Sequence, residues 1–124
     1  MMTEDELQKR LEAALPVRHH YDLFVEECQD QDVRLRFSLP ADEHWSIPAL
    51  LALVDTSLRA AAGIEASLTH LNVTMLREAQ RADVIALSRL LGRDGDAAHA
   101  EAWLFSHAVV EPVLHATATL KRRA

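Results

Sequence analysis

One carboxylate stands out by its position. Asp55 is the only acid between Ile47 and Ile64, in a stretch of leucine, valine and alanine. A carboxylate so placed can act as a nucleophile or as a general base. Arg59 lies four residues on, so an ordinary helical ion pair is the alternative use. Thr56 and Ser57 beside it can hydrogen-bond a ligand or bond back to the helix, and back-bonding is the usual choice. His70, Asn72 and Thr74 share one face of an alternating segment. Arg77 and Arg93 fall near the ends of such segments, and Lys121 to Arg123 make a short basic run. All are capable of charge-assisted bonds to phosphate.

These groups need elements to hold them. Ser46 is a plausible N-cap, Pro48 fits the first helical turn, and Gly63 fits the C′ position, which predicts a helix ending near Ala62. Ile47, Leu50, Leu51, Leu53, Val54 and Leu58 leave it almost no polar face. Such a helix is buried on most sides, and Asp55 is expected to be buried with it. Thr3 to Leu15 reads as a narrower amphipathic helix, with Thr3 and Glu6 as a capping box and Pro16 as the stop. Val17 to Glu27 is a candidate strand, followed by a polar turn at Gln29 to Asp32. Val33, Leu35, Phe37 and Leu39 then alternate with polar residues up to Pro40. Four further strands follow Ala66, with Asp94-Gly95-Asp96 as a hairpin turn. The order is helix, two strands, buried helix, four strands, an α+β arrangement. A sheet curled around the central helix accounts for that helix's missing polar face.

Composition narrows the function classes. The chain has 124 residues, which predicts a single domain over 1–124. Hydrophobic residues make up 49% and charged residues 26%, against the signature of disorder. A net charge of -6 argues against nucleic acid as a partner. Cys28 is the sole cysteine, so no internal disulfide can form. None of the seven histidines has another four residues away, and no metal site is expected. Trp45 and Trp103 read as packing or interface residues. No apolar run reaches the ~18–20 residues of a membrane span. The acidic start Met1 to Glu6 lacks a secretory pattern, and a cytoplasmic location is expected.

The motifs taken together resemble a known family. Leu53-Val54-Asp55-Thr56-Ser57 on the central helix, Asn72 to Ala79 with Leu76-Arg77, Gly92-Arg93, and Ala116 to Thr119 occur in that order. This pattern is similar to the hotdog-fold acyl-CoA thioesterases of the phenylacetate-degradation type, over roughly residues 17–122. The resemblance implies a curled antiparallel sheet around one central helix. It implies thioester hydrolysis, with an acyl-CoA or acyl-carrier substrate and no cofactor. It implies a homodimer with the pocket at the subunit interface, and a tetramer of two such dimers is common in the family. Asp55 takes the place of the family's catalytic acid. Asn72 and Thr74 lie on a strand that borders the acyl pocket in such folds, and with Thr56 and Arg77 they are candidate substrate contacts.

Besides Glu78 in place of the family's proline, the sequence departs from the family seriously at one place. Catalytic members carry His-Gly-Gly where this chain has Ser46-Ile47-Pro48. Pro48 has no N–H, so Ile47 supplies the donor equivalent to the family's glycine. Losing one oxyanion donor costs about 10²–10³ in rate. The departure motivates an alternative: a non-catalytic hotdog protein that binds an acyl-CoA-like ligand or serves as a dimeric interaction module. A dehydratase pair needs a histidine, and the central helix has none.

Overall fold

The computed structural model describes residues 2–14, 22–29, 32–39 and 44–122. Helix α1 spans Glu4–Ala14, strand β1 Asp22–Gln29 and β2 Asp32–Ser38. Helix α2 spans Ile47–Ala62, followed by β3 (Ser67–Met75), β4 (Val84–Asp94), β5 (Ala97–Ser106) and β6 (Pro112–Lys121). The six strands form one antiparallel sheet in the order β1-β2-β4-β5-β6-β3. The sheet curls around α2, which is the hotdog arrangement expected from the resemblance.

Local chemistry explains the elements. Thr3 Oγ1 accepts from the Glu6 N–H, the N-cap half of the expected capping box, while Glu6 Oε1 accepts from the Thr3 hydroxyl. Ser46, in an extended conformation, accepts from the Ala49 N–H and starts α2. Gly63 ends α2 at φ 141°, with its N–H bonded to the Arg59 carbonyl. Gly95, at φ 64°, makes the β4–β5 turn, and Asp94 belongs to the strand before it.

The first strand differs from expectation. Its described part, Asp22–Gln29, runs past Glu27, so Cys28 lies within the strand. Leu15 to Tyr21, which include the expected helix stop and strand start, lie outside the described residues, as does part of the Gln29–Asp32 turn.

The core lies between α2 and the sheet face that presents Leu35, Phe37, Ala86, Ala100, Leu104, Ala116 and Leu120. Leu53, Val54 and Leu58 of α2 are fully buried against it. Each such side chain contributes roughly 1.5–3 kcal/mol on leaving water. Alanines dominate the facing positions of β5 because the helix axis must approach the sheet closely. Among the described residues, no helix is long and apolar enough to cross a membrane.

Candidate functional site

The site is built along one flank of α2. The buried residues of the helix are Leu50, Leu53, Val54, Thr56, Ser57, Leu58 and Ala62. Asp55 lies about 100° around the helix from Val54. It therefore sits at the margin of the buried face, with 41% of its side chain exposed. This corrects the expectation that Asp55 is buried: an apolar helix still has a flank that the sheet does not cover. Leu51, Asp55 and Arg59 follow one another at single-turn spacing along that flank. Arg59 Nε donates to Asp55 Oδ1 at 3.1 Å. The carboxylate keeps its second oxygen and its access to solvent.

The N-terminus of α2 offers little to an anion. The Ala49 N–H is taken by Ser46 Oγ, and the Leu50 N–H by the Ser46 carbonyl. Pro48 has none. The Ile47 N–H is left as the first-turn donor, on a residue that is 60% exposed. Along the axis, Ile47 and Asp55 are eight residues apart, or roughly 12 Å. Trp45 fixes the approach to the helix: it is buried and its indole N–H donates to the Ala82 carbonyl at 2.8 Å.

The other candidates do not gather around Asp55. Thr56 is buried, and its hydroxyl donates to the Ala52 carbonyl at 3.0 Å. Ser57 donates likewise to Leu53 at 2.7 Å. Both follow the back-bonding that is usual for such residues. Asn72 pairs with Thr117, and Thr74 with His115. Residues directly opposite in an antiparallel pair share a face. Thr117 and His115 alternate with the core residues Leu114, Ala116 and Ala118. Asn72, Thr74 and His70 therefore lie on the face of the sheet away from α2. Arg77 bonds the Pro112 carbonyl and pairs with Glu111 at 3.4 Å. Arg93 reaches the far end of α2, donating to the Ala62 carbonyl at 3.1 Å.

Two arrangements escaped the sequence reading. On the outer face, the His115 ring stacks on Trp103 at 3.9 Å between centroids and hydrogen-bonds Glu101 at 3.0 Å. Alternation puts all three on one face, but the β5–β6 register that joins them is not written in either strand. At the other end of the sheet, Gln8 of α1 clasps the backbone of β1, and no pattern in α1 announced it. Cys28 is buried; burial first, and the Glu4 carboxylate second, push its thiol above the ordinary range. That makes it a poor nucleophile. Among the described residues, no three His, Cys, Asp or Glu side chains are grouped to hold a metal ion.

No protein-family model and no curated relative matches the chain. Its structure does match solved ones. Zebrafish thioesterase superfamily member 2 superposes with a TM-score of 0.80 at 15% identity, covering 99% of this chain and 100% of that one. A hypothetical thioesterase protein of Streptococcus pneumoniae TIGR4, solved with coenzyme A, gives a TM-score of 0.76 at 10% identity, covering 94% and 99%. The PaaI protein of the Escherichia coli phenylacetic acid degradation operon gives 0.71 at 12% identity, covering 96% and 89%. The chain has the hotdog fold that these thioesterase-superfamily structures share.

Proposed function

We propose that this protein is a thioester hydrolase acting on an acyl-CoA, or on an acyl-carrier thioester, with Asp55 as the nucleophile or the base that activates water. One observation carries the reading. On a helix with no other acid, a single carboxylate is placed at the solvent margin in a fold shared with thioesterase-superfamily structures. The coenzyme A in a structural neighbour supports the choice of substrate class.

The geometry also bears on assembly. A donor must lie within ~3 Å of the oxyanion, and the attacking group within ~3–3.5 Å of the same carbonyl. Ile47 and Asp55 of one helix, roughly 12 Å apart along the axis, cannot both meet these limits on one thioester. The reading therefore requires two copies, the Ile47 N–H of one facing the Asp55 of the other. We place the interface at β3. It is a sheet edge, and its helix-side residues Leu71 and Met75 are 40% and 44% exposed. Pairing β3 with its symmetry mate covers both the backbone edge and these side chains.

A second reading rests on the helix N-terminus. With one free donor in its first turn, the protein binds an acyl-CoA-like ligand without hydrolysing it. Thiol release from short, long and aryl acyl-CoAs separates the two, with Asp55→Asn beside the wild type. Turnover that falls by about 10²–10⁴ in the variant supports hydrolysis. Equal turnover in both rules out the role given to Asp55, and saturable binding without turnover in either selects the second reading.

A further inference from the structure

A developing oxyanion is short of donors in this chain. Pro48 has no N–H, Ser46 holds the Ala49 and Leu50 N–H groups, and the Ile47 N–H is what the first turn of α2 has left. One neutral backbone donor is thin support for a full negative charge. The other end of the Asp55 flank carries a cation. Arg59 stands one turn beyond Asp55, and side chains on a helix lean toward its N-terminus. Its guanidinium therefore lies over the turn that carries the carboxylate, and Nε donates to Asp55 Oδ1 at 3.1 Å.

The pairing is partial on both sides. It takes one carboxylate oxygen and one guanidinium nitrogen, where a fork can take two of each. Oδ2 stays free, and the two Nη groups have no hydrogen-bond partner among the described residues. Neither Glu65 nor Asp96, the acids in the cleft beside Arg59, pairs with it; Asp96 is engaged by Lys121 at 3.9 Å. The Arg59 and Asp55 side chains are 32% and 41% exposed, so a ligand laid along the flank meets guanidinium and carboxylate together. Ile47 and Asp55 of one copy are too far apart to serve one carbonyl. Arg59 and Asp55 are in contact, so the attacking oxygen and the Nη donors can reach one thioester from the same copy.

We propose that Arg59 is a second catalytic residue: its Nη N–H groups donate to the thioester oxygen as charge develops there, replacing the donor that Pro48 removes, while Nε keeps Oδ2 turned toward the carbonyl carbon. The inference rests on the hydrolase reading above. Oδ2, or a water that gives its proton to Oδ2, bonds to the carbonyl carbon, and the C=O π pair moves to oxygen. Arg59 and the Ile47 N–H of the second copy hold that oxygen. The pair then returns and the C–S bond breaks. The leaving thiolate takes its proton from Asp55 on the water route. On the direct route it takes one from solvent, and water afterwards opens the acyl–Asp55 bond. A charged donor is roughly twice as strong as a neutral one, and substrate covering the flank excludes water from it.

Thiol release from the short, long and aryl acyl-CoAs tests this in wild type, Asp55→Asn, Arg59→Gln, Arg59→Lys and Arg59→Ala. Exposed helical pairs add little to stability, so the Arg59 variants are expected to fold and to melt close to the wild type. Arg59→Gln and Arg59→Ala are expected to lose about 10²–10³ in kcat with KM within about threefold. Arg59→Lys, which keeps the charge without the fork, is expected to keep about a tenth of the wild-type kcat. Guanidinium chloride, far below denaturing concentrations, is expected to raise kcat of Arg59→Ala about tenfold and to leave Asp55→Asn unchanged. An arginine that only supports the helix or orients Asp55 allows no such rescue. Wild-type turnover in Arg59→Gln, a rise in KM alone, or a loss in Arg59→Ala without rescue would overturn the role of Arg59, while loss in Asp55→Asn keeps the hydrolase reading standing. No turnover in the wild type with any acyl-CoA removes that reading and this role with it.

Discussion

The two edges of the sheet are finished in opposite ways. At β1, the Gln8 amide imitates a neighbouring strand: its Nε2 donates to the Leu23 carbonyl at 2.8 Å, and its Oε1 accepts from the Val25 N–H at 2.7 Å. Immediately after Val25 the β1–β2 register shifts, a further bar to pairing. Leu7 and Leu11 bury α1 against this end. At β3, nine residues run along the opposite edge with no such helix packing among the described residues, and the helix-side residues Leu71 and Met75 stand exposed. A chain that closes one edge with a side chain and leaves the other bare has one edge to give to a partner. The contrast is the structural ground for the proposed dimer and, through the separation of Ile47 from Asp55, for the proposed site shared between copies.

The contrast can be broken most severely at β3. Leu71→Lys with Met75→Lys sets like charges on the proposed interface. The dimer is expected to give way to monomer in sedimentation, with thioester turnover lost by ~10²-fold or more. A variant that stays dimeric and active would move the interface elsewhere. At β1, Gln8→Ala removes two backbone clasps. It is expected to lower stability by about 1–2 kcal/mol in urea unfolding while the oligomeric state holds. If that variant instead associates further through β1, the clasp is also a guard against edge pairing.

A smaller effect is expected at Cys28, on β1 itself. Its thiol is pushed up by burial and by Glu4, so the neutral form is favoured when folded. The stability it contributes is fully present below the ordinary thiol range and is lost as pH rises through the raised value. An alkaline unfolding series should show a decline that Cys28→Ala lacks. The least effect is expected for Arg34→Ala. Its 2.9 Å pair with Glu26 joins β1 to β2, but both side chains are largely solvated. Such pairs contribute ~1 kcal/mol or less, which the same unfolding assay measures.

How far the sequence was legible follows from what each signal encodes. Period-2 and period-3.6 patterns and caps at Thr3, Ser46 and Gly63 made both helices and most strands readable, because each is a local property. Asp55 was readable because an acid in an apolar stretch is conspicuous. Its exposure was not, since nothing in α2 says how far the sheet wraps around it. Asn72 and Thr74 were correctly put on one face, yet which face α2 covers depends on the register with β6. A cleft lined by Arg10, Arg59, Arg93 and Arg122 joins α1, α2, β4 and the end of β6, residues up to 112 positions apart (10 to 122). Arg93 and the Lys121–Arg123 run are legible as groups able to bond phosphate, but only tertiary packing brings Arg10 and Arg59 to the same cleft.

The shared site is tested most directly by mixing two inactive variants. Asp55→Ala lacks the carboxylate. Ile47→Pro lacks the remaining N–H, at a first-turn position that proline tolerates and after an extended Ser46. Each alone is expected to be inactive in thiol release. After co-refolding, half of the dimers are hybrids, and each hybrid holds one site with both groups intact. Recovery of about a quarter of the wild-type rate is the result predicted for a site built across a twofold interface. No recovery, with hybrid dimers present by mass, would contradict it.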